Sequence, residues 1–125
     1  MMAVRTLISQ QLNTLGFKEI FQAHDAPSAW QVLSESSPFF DLIICDLELE
    51  GSNGLDLVGR IRSDSRFSNI PILMLGIKTE RELEPKVAAA GANAFLIKPF
   101  DAQSLGQVIQ DVTGGAAATK VTDGR

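Results

Sequence analysis

Asp41-Leu-Ile-Ile-Cys-Asp46 is the stretch that decides the fold. Four apolar residues fenced by an acid on each side leave no face for solvent, so the segment reads as a strand covered on both faces. Strands of that kind belong to parallel sheets, whose crossover helices lie on both sides. Three more segments read as strands: Lys18–Ala23, led by Ile20 and Phe21; Ile70–Leu75; and Ala94–Ile97. Pro71 is confined to a strand's start, or to a place where no partner needs its N–H.

Between the strands the apolar spacing changes to a helical period. Val4, Leu7, Ile8, Leu12 and Leu15 make one helix, closed by Gly16. Asp25 caps a second, with Pro27 in its first turn and Ala29, Trp30 and Leu33 on its buried side. Ser52-Asn53-Gly54 is turn chemistry leading into a third helix carrying Leu55, Val58 and Ile61. Thr79 reads as the start of a capping box for a fourth, but Pro85 removes a backbone bond there, so that helix is kinked or begins late, near Glu84. Asp101 caps the last, which carries Leu105, Val108, Ile109 and Val112; Gly114-Gly115 then leads to a tail, Thr119–Arg125. Strands alternating with helices of this length indicate a doubly wound α/β sheet.

Composition excludes several classes. The 125 residues suit one domain, and 45% hydrophobic with 21% charged residues is globular, not disordered. Ile70–Ile77, the longest apolar stretch, is too short to span a bilayer, so no membrane role is expected. Met1–Leu12 carries Arg5, Thr6, Ser9, Gln10 and Gln11 and does not have the layout of a signal peptide. A single cysteine builds no internal disulfide, which suits the cytoplasm. The net charge of −4, without a basic cluster, argues against nucleic-acid binding. Cys45 and Trp30 read as core, and His24 has no metal partner in view.

In open parallel sheets, chemistry collects beyond the carboxyl ends of the strands. Asp46 and Glu48, Gly76 and Lys98 stand there. A carboxylate facing an ammonium across that crevice can accept a phosphoryl group, the acid as nucleophile and the amine binding the transferred oxygens. Lys98 precedes Pro99, which favours an extended Lys98 and permits a cis bond.

With these residues in view, the chain resembles the receiver domain of two-component response regulators, which has the flavodoxin-like fold of the chemotaxis regulators. The matching segments are Asp41–Leu57, Pro71–Leu75 and Gly91–Phe100, with Leu15-Gly16-Phe17 similar to the end of the family's first helix. The resemblance spans residues 2–113. It implies Asp46 as phosphoacceptor, Lys98 as the phosphoryl contact, and the Glu48 backbone carbonyl as a Mg²⁺ ligand alongside Asp46. Three positions depart from the family. Gly76 stands where a hydroxyl residue bonds the phosphoryl oxygen, Phe95 where the aromatic switch is often tyrosine, and Glu50 where proline is usual.

A receiver also begins with an apolar strand ending in two metal-binding acids, whereas this chain starts where the first helix starts. That strand is therefore expected to be missing, or supplied by the C-terminal tail or by another chain in a strand-exchanged dimer. If residues 114–125 fill the slot beside a receiver domain of residues 1–113, Asp123 arrives near Asp46 as a further metal ligand.

The resemblance implies a receiver in phosphorelay signalling, taking its phosphoryl group from a sensor histidine kinase or a phosphotransfer protein. It would be a phosphoacceptor with at most self-dephosphorylation, not a conventional enzyme. Readout would be protein contact through the Pro85 helix, the Phe95 strand and the Asp101 helix. The alternative is a degenerate receiver that keeps the fold as a phosphorylation-independent interaction module.

Overall fold

The computed structural model describes residues 2–16, 19–23, 25–35, 40–49, 51–113 and 120–124. Five parallel strands form the sheet: β1 (Glu19–Ala23), β2 (Leu42–Asp46), β5 (Ile72–Ile77), β6 (Ala94–Lys98) and β7 (Lys120–Gly124), in the order β1-β7-β2-β5-β6. A short antiparallel pair, β3 (Glu48–Leu49) with β4 (Ser52–Asn53), follows β2. The described helices are α1 (Met2–Thr14), α2 (Ala26–Glu35), α3 (Gly54–Ser63), α4 (Glu84–Ala90) and α5 (Ala102–Thr113).

The unbroken apolar runs of β2 and β5 are explained by where their alternate residues go. Ile43, Cys45, Ile72 and Met74 join Leu33, Leu57, Val58 and Ile61 in one core on the face of α2 and α3. Leu42, Ile44, Leu73 and Leu75 join Ile8, Leu12, Leu105 and Ile109 in a second core, under α1 and α5. The side chains of β2, and of β5 as far as Leu75, are thus buried whichever way they point, the signature of a sheet covered on both sides.

Local chemistry sets the element ends. Asp25 Oδ1 accepts from Ser28 N–H at 2.8 Å, and Asn53 Oδ1 caps α3 by accepting from Asp56 N–H at 2.9 Å. Pro71 lies just before β5, where its carbonyl accepts from Ile43 N–H at 2.9 Å. α4 begins at Glu84 with Pro85 in its first turn, where the missing N–H costs nothing. Ahead of it runs a 3₁₀ segment, Lys78–Leu83. The capping box expected at Thr79 is corrected here: Thr79 lies inside that segment, and Glu80 Oε1 accepts from Ile77 N–H at 2.8 Å. The chain leaves extended geometry at Ile77, so the cap forms at that point. Trp30 packs edge-on to Phe67 at 5.8 Å between ring centres, as a core residue should.

β7 pairs in parallel with both neighbours, Val121 standing opposite Ile20 of β1 and Leu42 of β2. The tail of the chain itself therefore occupies the place between β1 and β2. Backbone hydrogen bonding on both edges outweighs the polar character of Lys120 and Thr122, residue types that do not favour a central strand. Arg62 ties α3 to the far end of the sheet: its guanidinium donates to the carbonyls of Gly91 (2.8 Å), Phe67 (3.0 Å) and Ser68 (3.1 Å) and to Asn93 Oδ1 (2.9 Å). His24 lies outside the described residues.

Candidate functional site

β2, β5 and β6 end side by side, with β5 in the middle. Asp46 is the last residue of β2 and Lys98 the last of β6. The register sets Asp46 opposite Leu75 and Lys98 opposite Ile77. Leu75 and Ile77 are two residues apart on β5, so Asp46 and Lys98 leave the sheet on the same face. Two strand spacings, about 10 Å, separate their backbones, a gap that an aspartate and an extended lysine close together. Lys98 Nζ lies 2.7 Å from Asp46 Oδ1.

Among the described residues Asp46 is the one buried charged residue, 8% exposed. A carboxylate withdrawn from water needs a compensating charge, and the Lys98 ammonium, its own side chain 20% exposed, supplies it. The loop beyond Asp46 is pinned from two sides. Leu47 N–H donates to Leu75 O at 2.8 Å, and Gly54 N–H donates to Leu47 O at 2.6 Å. A Cβ at Gly54 would collide with the Asp46 carbonyl oxygen, so this approach requires glycine. Buried Cys45 donates to that same oxygen at 3.4 Å and packs as core.

Glu48, Gly76, Ile77 and Glu80 line the pocket that Asp46 and Lys98 share. It therefore holds three carboxylates and one ammonium at the strand ends. Asp46 is placed to attack an electron-poor centre, with Lys98 beside it to bind the oxygens that gain charge.

Gly76 shapes the opposite face. A Cβ there would stand 2.6 Å from Cε1 and Cζ of Phe95 and 3.2 Å from Leu47 Cδ1. The Phe95 ring thus fills the space that a side chain at 76 would take.

Asp46, Glu48 and Lys98 come together in one pocket. Glu50 lies outside the described residues, and so does the Asp123 side chain. The Asp123 backbone is opposite Ile44, two positions short of Asp46. Glu80 is the pocket residue that sequence reasoning did not single out; its signal is a carboxylate three positions after the strand-final Ile77. No group of three or more His, Cys, Asp or Glu side chains among the described residues is placed to hold a metal ion. The oxygen donors of Asp46 and Glu48 are nevertheless of the type Mg²⁺ takes, since that ion commonly binds one or two carboxylates and keeps several waters.

Comparison with known proteins agrees with this geometry. The family model for the response regulator receiver domain matches residues 2–110. Chemotaxis protein CheY1 of Helicobacter pylori is 33% identical over 111 residues, 89% of this chain and 89% of that protein. Chemotaxis protein CheY of Pseudomonas aeruginosa is 32% identical over 109 residues, 87% of this chain and 86% of that one. Among solved structures, the chemotaxis response regulator CheY4 of Vibrio cholerae superposes with a TM-score of 0.80 at 30% identity, covering 90% of this chain and 91% of its own. The NtrX receiver domain of Brucella abortus gives 0.79 at 27%, covering 92% and 93%. The receiver domain of a Pseudomonas aeruginosa sensor histidine kinase, 24% identical with a TM-score of 0.74 over 88% of each chain, was solved with a magnesium ion coordinated in its active site cleft. With the strand-end carboxylate, the lysine across from it and a family match over most of its length, this chain belongs to the response regulator receiver domains of two-component signalling.

Proposed function

We propose that Asp46 is the phosphoacceptor and Lys98 the residue that binds the transferred group. The Asp46–Lys98 contact of 2.7 Å is the observation that carries this reading. An Asp46 carboxylate oxygen attacks the phosphorus of a phosphohistidine on a sensor kinase or phosphotransfer protein. The P–N bond breaks as the O–P bond forms, leaving an acyl phosphate on Asp46, and the imidazole departs with the electron pair and takes up a proton. Lys98 then bonds a phosphoryl oxygen instead of the carboxylate it now neutralises.

Mg²⁺ would be held by Asp46 and the Glu48 carbonyl, with Asp123 as a further ligand brought by β7. It would neutralise phosphoryl charge in a pocket that already carries three carboxylates. In this reading residues 1–113 are the receiver and 114–125 its replacement strand. The intrachain seat of β7 supports a monomer over a strand-exchanged dimer.

Output would run through the Pro85, Phe95 and Asp101 face, where Phe95 lines a groove with Val87 and Ala92. A cytoplasmic location fits a buried Cys45 held as a thiol rather than in a disulfide. Among the described residues no helix is long and apolar enough to cross a membrane.

Acetyl phosphate with Mg²⁺ tests the reading. Intact-mass spectrometry should show one added phosphoryl group that disappears in Asp46→Asn. An unchanged mass, or a gain that survives the substitution, would refute it.

A further inference from the structure

We infer that Glu80 is a built-in competitor for the phosphoryl pocket, its carboxylate holding a backbone donor that an anion bound at Asp46 would otherwise use. The inference rests on Asp46 as the acceptor.

The directions of the β5 backbone groups lead to it. Along a strand, successive residues turn their N–H and C=O groups to opposite neighbours, so residues two apart face the same one. Leu75 faces β2, because its carbonyl accepts from Leu47 N–H at 2.8 Å. Ile77 must face the same side, but the ladder pairing β2 with β5 ends at Asp46 and Leu75. The Ile77 N–H therefore emerges beyond the end of β2, into the pocket that Ile77 lines with Asp46 and Lys98. Glu80 Oε1 takes it at 2.8 Å.

A phosphoryl group on Asp46 brings close to two negative charges and several acceptor oxygens. Lys98 is one donor within reach, and the Ile77 N–H is a second. Glu80 holds that second donor and adds a like charge to the same pocket. Phosphoryl oxygen and Glu80 carboxylate thus exclude each other at one N–H. Glu80 belongs to the Lys78–Leu83 segment that leads into α4, so the exchange also releases the connection to the proposed output face.

If Glu80 were only a cap for the 3₁₀ segment, its charge would not matter. Glu80→Gln keeps an oxygen acceptor and removes the charge, whereas Glu80→Ala removes both. Two measurements separate the cases: the rate of Asp46 labelling by acetyl phosphate, and the affinity for inorganic phosphate followed at the Ile77 amide by NMR.

Both substitutions should speed labelling and tighten phosphate binding by roughly five- to tenfold, the scale of one like charge removed from a partly exposed site. The Ile77 amide should shift on phosphate binding, and more steeply in the variants. Unchanged or weaker phosphate binding in Glu80→Gln overturns the inference, as does labelling that slows. Labelling missing from every variant while phosphate binding still tightens supports the competitor and refutes the acceptor reading instead.

Discussion

Replacing Gly76 with alanine probes the packing that most distinguishes this pocket. The added Cβ would lie 2.6 Å from two carbons of the Phe95 ring and 3.2 Å from Leu47 Cδ1. Carbon atoms rest about 3.5–4.0 Å apart, so the ring must retreat by about 1 Å. Overpacking of this size costs about 1–3 kcal/mol. Alanine in a strand regains about 0.5–1 kcal/mol over glycine. Taken at mid-range, these leave Gly76→Ala destabilised by about 1 kcal/mol, a fall in melting temperature of about 4 °C for a domain of this size.

Urea denaturation of Gly76→Ala, Phe95→Leu and the double variant is the assay. If the Phe95 ring is the obstacle, the smaller side chain relieves the strain, and the double variant should be more stable than the two single losses sum to, by about 1 kcal/mol. A neutral or stabilising Gly76→Ala, or losses that add to within about 0.5 kcal/mol, would refute the reasoning.

Gly54→Ala drives a methyl group onto the Asp46 carbonyl oxygen, backbone that cannot move aside, and should cost more than about 3 kcal/mol or prevent folding, read by circular dichroism. Arg62→Ala removes donors to Gly91, Phe67, Ser68 and Asn93 and should cost about 2–4 kcal/mol in urea titrations, with lysine restoring little because it cannot reproduce the planar fork. Asp101 accepts from Ser104 N–H at 2.7 Å, and the Ser104 bonds hold its carboxyl below the usual 3.8. A depressed folded value stabilises above the unfolded value and is lost as pH falls through the folded one. The Asp101 share should therefore be intact above pH 3.8 and fade below it, a loss that Asp101→Asn, measured by urea midpoints across that range, should not show.

Much of this fold is legible in the sequence because β2 and β5 are apolar on both faces, and only a doubly covered sheet buries such runs. Asp46 and Lys98 are legible for a related reason: each is the charged residue that ends such a run. The seat of β7 is harder to read. Lys120, Thr122 and Asp123 give no apolar signal, and the strand is held by backbone pairing to β1 and β2, which leaves no mark on side-chain pattern. Glu80 is hidden by the neighbouring Thr79, which reads as the start of a capping box two residues beyond the cap that forms at Ile77. The Arg62 network joins residues up to 31 positions apart, beyond any local periodicity. Gly76 was visible as a departure from the family, but its consequence depends on where the Phe95 ring lies.

The most direct test of an acceptor carboxylate at residue 46 is chemical. Borohydride reduces an acyl phosphate to the alcohol, converting a phosphorylated aspartate to homoserine that survives proteolysis. After treatment with acetyl phosphate and Mg²⁺, reduction and peptide sequencing by mass spectrometry should place homoserine at position 46, at a much lower yield in Lys98→Ala. Homoserine at another acid, or at none, would contradict the assignment.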